Sequence, residues 1–221
     1  MDLIVHGIYR MATMPRVRVA TADDVPHLTE LIARSGRILS AGYYTETETE
    51  SAIRFVFGVD STLVAEGTYF VAEDSGTMLG CGGWSRHQTL YGGDQRPVGA
   101  PELLLDPSRD SARIRAFFVA PEAARRGVGR SLLEECVRAA GAAGFRSLEL
   151  VSTLPGVPFY AAMGFEAVGE IIDTLPDGVA VRFVRMRRAL PDYALDGLPD
   201  SENDASALPP MRDVPLSAHR E

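Results

Sequence analysis

The chain has 221 residues, of which 46% are apolar and 24% charged, a length and composition typical of one globular domain with a sizeable core. Its formal net charge of −8 argues against a general nucleic-acid-binding protein, because such proteins depend on neutralising phosphates. Two widely separated cysteines and four scattered histidines indicate neither a disulfide framework nor a metal site, so we expect a reduced, cytoplasmic protein.

The two ends of the chain differ from its middle in composition. The apolar run near the N-terminus is too short for a signal peptide, and no stretch approaches the roughly 18 apolar residues of a membrane span. From residue 191 onward, seven acids stand against two arginines and apolar periodicity ends. We therefore expect an N-terminal extension over 1–13, one domain over 14–190 and an acidic, disordered tail over 191–221.

In chain order, the first half reads as a strand, two helices and a hairpin. "RVRVA" (16–20) alternates like a strand, and Thr21 caps a helix that we expect to end at Gly36. "TETETESAIRFVFGV" predicts a second helix, and "GTYFVAEDSGTMLGCGGWSR" predicts a hairpin with an Asp-Ser-Gly turn. Residues 87–111 are rich in Gly, Pro and Asp and predict a long loop, of the kind that is usually either functional or disordered.

The second half supplies the chemistry-bearing elements. "ARIRAFFVA" predicts a strand, and strict alternation would place Arg113, Arg115, Phe117 and Val119 on one face. A helix with a 3.6-residue apolar stripe follows, then "SLELVST" as a strand, "PGVPFYAAMG" as a short helix and two final strands. The order β-α-α-β-β-β-α-β-α-β-β predicts an α/β fold with a mixed sheet, helices on both faces and a right-handed crossover over 112–152.

The turn between that strand and that helix, "APEAARRGVGRSLL", is built like a pyrophosphate cradle. The first N–H groups of a helix lack internal partners and carry partial positive charge, and Gly127 and Gly129 let an anion approach them. Arg125, Arg126 and Arg130 add full charges. The competing interpretations are an ordinary tight turn with solvated arginines and a nucleic-acid contact, which the acidic net charge disfavours.

Two phosphate-binding loops of known type do not fit this turn. A Walker A loop needs a lysine, and all 22 basic residues of the chain are arginine. A Rossmann fingerprint needs a third glycine where Leu132 stands.

Two segments resemble one family, the Gcn5-related N-acetyltransferases (GNAT). "FFVAPEAARRGVGRSLL" is similar to the family's acetyl-CoA signature, with Gly127 and Gly129 in register and Ala124 departing from the usual Gln or Arg. "VPFYAAMGFEAVGE" is similar to a second family segment, with Tyr160, Gly164 and Phe165 in register. The resemblance covers about residues 16–188 and implies a GNAT fold whose two central parallel strands splay apart.

The resemblance also implies roles for individual residues. It makes acetyl-CoA the cosubstrate and Tyr160 the general acid that protonates the departing thiolate. Val119 N–H would lie near the thioester. The implied cofactor-binding residues are Phe117, Phe118, Val119, Arg125, Arg126, Gly127, Val128, Gly129, Arg130 and Thr153, the last at a position where the family often has asparagine.

The acceptor side is less determined by the sequence. Candidates for its lining are Trp84, Arg86, Tyr91, Arg115 and Phe117, with Tyr43 and Tyr44 from the connection between the first two helices. Trp84 could equally be a buried hairpin aromatic. Arg86 and Arg115 would suit a substrate carboxylate.

The predicted activity is acetyl transfer to a primary amine of a small molecule or a protein N-terminus, with neither nucleic acid nor membrane as a partner. A homodimer is a family expectation only. The strand 112–119 lacks the glutamate that the family often uses as base, so Glu73, Asp94, Glu102 and a water-mediated route stay open, and so does a non-catalytic acyl-CoA-binding module.

Overall fold

The structure is a computed structural model that describes residues 15–95 and 103–190. The expected N-terminal extension over 1–13 and the acidic segment 191–221 lie outside the described residues, as does Glu102. Among the described residues, no helix combines the length and apolar character that crossing a bilayer requires, and no group of three or more His, Cys, Asp or Glu side chains could hold a metal ion.

Within residues 15–95 and 103–190, seven strands form one mixed sheet in the order β1-β2-β3-β4-β5-β7-β6, and five helices pack against it. Only β4 and β5 run parallel; the other paired strands are antiparallel. The strands are β1 (Arg16–Val19), β2 (Tyr69–Asp74), β3 (Thr77–Ser85), β4 (Ala112–Val119), β5 (Ser147–Thr153), β6 (Glu166–Thr174) and β7 (Ala180–Ala189). The helices are α1 (Val25–Leu39), α2 (Glu46–Phe55), α3 (Ser61–Ala65), α4 (Val128–Ala142) and α5 (Val157–Ala162).

The α/β mixed sheet and the order of its main elements confirm the sequence prediction, with two local differences. The prediction that the first helix ends at Gly36 is wrong, because α1 continues to Leu39 and Gly36 is buried within it. A Cβ at Gly36 would lie 3.0 Å from the Phe57 ring, so the glycine serves close packing rather than helix termination. The short helix α3 was not predicted; Asp60 caps it by accepting from Leu63 N–H.

Helices cover both faces of the sheet. Helix α4 packs mainly on β3 and β4, and its buried stripe matches the predicted 3.6-residue period (Val128, Leu132, Leu133, Cys136 and Ala140). Gly80 in β3 makes this close approach possible, since a Cβ there would meet Val128 at 3.0 Å. Helix α1 also packs against β3 and β4, and α2 contacts β7. Phe118 of β4 meets Phe57, the residue that packs on Gly36 in α1, so α1 and α2 define the sheet face opposite α4.

A β-bulge in β4 overturns the predicted alternation of its side chains. Cys81 pairs with Phe118 and Gly83 pairs with Arg115, so two steps along β3 match three along β4. Ala116 absorbs the extra residue with φ +50°. Arg115 and Phe118 therefore face the same side as α1 and α2, whereas Phe117 and Val119 face α4 and α5. The sequence period could not reveal this shift, because the bulge depends on cross-strand pairing.

Tyr69 supports the bulge from the interior. Its side chain is fully buried, and its hydroxyl donates to the Ala116 carbonyl at 2.7 Å. Burial raises the pKa of this phenol well above its usual value, so the hydroxyl remains a donor. This hydrogen bond gives a donor to the Ala116 carbonyl, which the bulge removes from the regular hydrogen-bond ladder of the sheet.

The bulge contact yields a stability prediction. Tyr69→Phe should lower the free energy of unfolding by about 1–3 kcal/mol, because it leaves the Ala116 carbonyl without its donor in the core. Urea titration followed by circular dichroism measures the change. Tyr43→Phe is the matched control, since Tyr43 is 50% exposed and the change should be within about 0.5 kcal/mol. Equal effects of the two variants would contradict the role given to Tyr69.

Candidate active site

The neighbouring strands β4 and β5 separate from each other in the middle of the sheet. Their parallel pairing covers only Ala112 with Leu148 and Arg113 with Glu149, near the start of each strand. Beyond this point the backbone of β4 from Ala116 to Val119 and that of β5 from Leu150 to Thr153 no longer pair with each other. A wedge between the two strands therefore opens toward their carboxyl ends, where α4 begins.

The predicted cradle lies at the wide end of this wedge. A short 3-10 turn (Pro121–Ala123) leaves β4, and α4 starts after Gly127, which caps it without any side-chain hydrogen bond. Ser131 N–H is the first in the helix to donate back along the chain, to the Gly127 carbonyl at 3.0 Å. The amides of Val128, Gly129 and Arg130 precede it and point out of the helix end, toward any anion that approaches.

The backbone before α4 alternates between positive and negative φ from residue to residue. Arg125 has φ +64° and Gly127 has φ +86°, both left-handed. Such alternation turns successive N–H groups toward one concave point, the geometry of an anion-binding nest. The side chains of Arg125, Arg126 and Arg130 are exposed around it. The structure thus brings together three arginines and the free amides at one end of α4.

Aromatic side chains line the wedge beside the cradle. Phe117 of β4 stacks on Phe159 of α5 with ring centroids 6.1 Å apart, and a Cβ at Gly129 would lie 3.1 Å from Phe159. Val119 is 3.7 Å from the same point. Gly82 leaves room on β3 for the Phe117 ring. The wedge is therefore apolar along its wall and cationic at its mouth.

Tyr160 lies deep in this aromatic cluster. Its ring centroid is 6.2 Å from that of Phe117, 5.0 Å from that of Phe159 and 5.6 Å from that of Phe165, so the phenylalanine of the sequence motif packs directly on it. Burial, with a smaller contribution from Cys136, raises the pKa of its hydroxyl far above the ordinary value. A phenol in this environment keeps its proton at physiological pH and can donate it. Thr153, at the carboxyl end of β5, precedes the turn that leads to this helix.

On the opposite face of β4, a carboxylate already balances the positive charge of Arg115. Its guanidinium forms an ion pair with Asp60 at 2.9 Å and donates to the Gly92 carbonyl at 2.9 Å, and its side chain is 8% exposed. Arg115 thus joins α3 to the loop after β3. Binding of a substrate carboxylate here would have to compete with Asp60, so the tertiary structure weakens this part of the sequence prediction.

The other predicted acceptor residues lie apart from one another. Trp84 is buried and meets Phe145 edge to face at 6.0 Å, on the sheet side where α4 packs, which favours the interpretation as a core aromatic. Arg86 is exposed at the end of β3. Tyr91 reaches across the fold, since its ring lies 5.6 Å from Phe183 and its hydroxyl donates to Asp173 at 2.9 Å. Of these three residues, Tyr91 is the one that contacts β6 and β7.

Tyr44 completes this side and carries a contact that the sequence could not foretell. Its hydroxyl donates to the Arg182 carbonyl at 2.5 Å and accepts from Leu154 N–H at 2.9 Å. Burial raises its pKa to about 12. The α1–α2 connection is thus attached to β7 and to the turn after β5, while Tyr43 is exposed.

Sequence reasoning missed a buried charge cluster at the apex of the wedge. Glu149 of β5 is 5% exposed and forms ion pairs with Arg113 of β4 and Arg185 of β7. The predicted carboxylate candidates are committed elsewhere: Glu73 pairs with Arg18 at 2.9 Å, and Asp94 accepts from Ser61. The signal in the sequence was the glutamate between two leucines, the one charged residue of the strand "SLELVST".

The comparisons with known proteins agree with this geometry. Residues 65–167 match the family model of the acetyltransferase (GNAT) domain. A GCN5-related N-acetyltransferase structure from Rhodopseudomonas palustris is 20% identical, with a TM-score of 0.60 over 80% of this chain and 97% of that one. A phosphinothricin acetyltransferase from Sinorhizobium meliloti, in complex with acetyl-CoA, is 25% identical, with a TM-score of 0.54 over 81% and 90%.

A third structure, a putative acetyltransferase from Salmonella typhimurium with its cofactor acetyl-CoA, is 16% identical, with a TM-score of 0.54 over 87% of this chain and 99% of that one. No curated protein matches the chain. The family match over residues 65–167 and the shared fold confirm the resemblance read from the two motifs.

The cradle predicts a specific effect of Gly127→Ala. The methyl group strains the left-handed cap and tilts the first amides of α4, so the dissociation constant for coenzyme A should rise about tenfold or more. Isothermal titration calorimetry measures it. Gly178→Ala is the matched control, because Gly178 has φ +84° and equally open surroundings but lies in the β6–β7 turn. Equal weakening by both variants would show that strain alone acts.

Proposed function

We propose that the protein is an acetyl-CoA-dependent N-acetyltransferase that acetylates a primary amine of a small molecule or a protein N-terminus by direct attack. The observation that carries the proposal is the wedge between β4 and β5, which leads from a cationic helix terminus to a buried tyrosine. The family match and the acetyl-CoA complexes of structures with the same fold support the cosubstrate.

The residues present fit the pyrophosphate and the pantetheine arm of acetyl-CoA. The amides of Val128, Gly129 and Arg130, with the side chains of Arg125, Arg126 and Arg130, would hold the pyrophosphate. The backbone of β4 from Phe117 to Val119, which pairs with β3 but not with β5, would hydrogen-bond the pantetheine arm on its free side, opposite Thr153. The bulge does not disturb this role, because it depends on backbone groups. Acetyl-CoA supplies the acetyl group as a thioester.

The chain's own part in the chemistry is to orient the amine, to provide hydrogen-bond donors and to move protons. Val119 N–H would lie close to the thioester oxygen and favour developing negative charge there. The Tyr160 hydroxyl delivers a proton to the sulfur that leaves, and its raised pKa means that the proton is present throughout the physiological range. The aromatic wall of Phe117 and Phe159 excludes water from this path.

The proton of the attacking amine leaves through water in this proposal. The three carboxylates on the acceptor face each already have a partner: Asp60 pairs with Arg115, Glu149 with Arg113 and Arg185, and Asp173 accepts from Tyr91. A direct base would have to give up such a contact during turnover. Ordered water between these groups and the wedge avoids that cost.

The acceptor would enter on the face covered by α1, α2 and the loop after β3. Tyr44 and Tyr91 border this region from opposite sides through their contacts with β7 and β6. An amino-acid-like acceptor is the narrower form of the proposal, with Arg86 as a partner for its carboxylate. Arg115 is assigned to holding the loop through Asp60 and Gly92 rather than to the acceptor.

A non-catalytic acyl-CoA-binding module is the second candidate, and one observation favours it: the described β4 carries no carboxylate. The two functions differ in one assay. Release of free thiol from acetyl-CoA in the presence of a panel of amines and peptides supports the enzyme. Calorimetric binding of acetyl-CoA without thiol release for any amine would support the module.

The general-acid role predicts that Tyr160→Phe lowers kcat by about 10²-fold or more while the dissociation constant for coenzyme A stays unchanged. Because burial raises the folded pKa of Tyr160, the protonated form persists as pH rises. The wild-type kcat should therefore show no alkaline fall due to this group up to about pH 10, the pKa of a free tyrosine. A kcat that survives the substitution would contradict the assignment.

A further inference from the structure

A second concave site lies at the end of the sheet remote from the cradle. It is a groove of about 670 Å³, a volume in the range of ligand sites. We call it the arginine groove. Its lining includes Arg109, Arg146, Arg187 and Arg188, the hydroxyl-bearing Ser108 and Ser147, and the carboxylates of Asp110 and Glu166. Ser147 begins β5 and Ala189 ends β7, whereas the cradle follows the end of β4.

Among the described residues, three of the four arginines form no ion pair, although Glu166 stands opposite Arg187 in the β6–β7 register. In the part of the chain that the structure describes, no ion pair joins Arg146, Arg187 or Arg188 to an acid. Arg187 donates only to Ser147 Oγ, at a long 3.4 Å, and Arg188 lies 6.0 Å from the Phe165 ring centroid. Arg109 is the exception, since it pairs with Asp106 and Asp110. The groove therefore offers guanidinium donors that can still bind an anion.

This local charge runs against the rest of the molecule. The chain as a whole carries −8, yet four arginines and two carboxylates line this one groove. The positive charges of neighbouring arginines around a concave surface repel one another and raise the local electrostatic potential. A bound anion reduces this repulsion. Guanidinium groups and hydroxyls together suit carboxylate oxygens, and several spaced arginines suit a chain of carboxylates better than a single one.

The same chain supplies such an anion next to the groove. Leu190, the last described residue, donates its N–H to the Arg146 carbonyl at 2.9 Å, so the polypeptide leaves the described domain beside a groove arginine. The following sequence, "PDYALDGLPDSEND", places five acids within 14 residues of Leu190 (Asp192, Asp196, Asp200, Glu202 and Asp204). A fully extended chain spans at most about 3.3–3.6 Å per residue, so the acids farther along this segment have enough chain to reach the groove.

We propose that the arginine groove is an anion-binding site whose occupant is the acidic segment 192–204 of the same chain. Covalent attachment gives this segment an effective concentration of order millimolar at the groove, so weak individual ion pairs suffice. The contact is electrostatic and must weaken with salt. It covers the surface formed by the start of β5 and the end of β7 and keeps other polyanions from it. The proposal is independent of the acetyl-transfer proposal.

The test uses the full chain with two introduced cysteines, Val168→Cys at the groove and Ser201→Cys in the acidic segment. Val168 is 55% exposed and lines the groove. The native Cys81 and Cys136 are fully buried, and burial raises the pKa of Cys81 to about 12, so spin labels attach to the new thiols. Double electron–electron resonance should show a short-distance population at low salt that is lost in 1 M NaCl.

Charge variants separate the proposed contact from nonspecific proximity. Arg146→Gln, Arg187→Gln and Arg188→Gln together should reduce the short-distance population about tenfold, and amide substitution of the five acids should do the same. The matched control neutralises Arg16, Arg54 and Arg138, which are exposed and do not line the groove, and should leave the population unchanged. Thermal unfolding and coenzyme A binding check that every variant is folded.

Three results would overturn the proposal. The first is the absence of a short-distance population in the unsubstituted pair at low salt. The second is an equal loss in the groove and control variants, which would mean that net charge alone acts. The third is calorimetric binding of sodium tripolyphosphate that depends on the three groove arginines without displacing any bound segment, which would assign the groove to an anion supplied from outside the chain.

Discussion

The parting of β4 from β5 is the constraint on which the rest of the structure depends. Two parallel strands that paired along their full length would satisfy each other's backbone and leave nothing for a ligand. Here the pairing stops at Arg113 and Glu149, and the backbone beyond it faces a wedge. The bulge at Ala116 and the ion pairs of Glu149 lie at this apex, and both exploit interactions between strands that are distant in sequence.

Glycines decide how closely the elements around the wedge approach. Gly80 lets α4 pack closely against β3, and Gly82 leaves room for the Phe117 ring. Gly36 in α1 leaves room for the ring of Phe57. Gly127 has a different task, because its left-handed conformation starts α4 with bare amides. The first three positions concern packing, while the last sets up a binding surface. Their joint effect is a narrow apolar passage that ends at a cationic helix terminus.

Arginine performs structural and ligand-directed tasks in this chain, which contains no lysine. Buried arginines are paired, as Arg115 is with Asp60 and Arg113 is with Glu149, because an uncompensated charge in the interior would be costly. Other arginines line two concave surfaces, the cradle and the arginine groove, while Arg16, Arg54 and Arg138 are exposed elsewhere on the described domain. Burial and pairing, rather than residue type, separate an arginine that maintains the fold from one that can bind an anion.

The sequence by itself determined the order of the main elements, the glycine-rich start of α4 and the aromatic segment around Tyr160, because these depend on residues close together in the chain. Only the tertiary structure decided which way the side chains of β4 point and that Trp84 belongs to the core. It also decided that Asp60 balances the charge of Arg115 and that Glu149 forms ion pairs with two arginines. Each of these outcomes depends on a partner contributed by another strand or loop. Local periodicity carries no information about such partners, so the faces of β4 after Ala116 and the charge state of the acceptor side became visible only once the sheet was assembled.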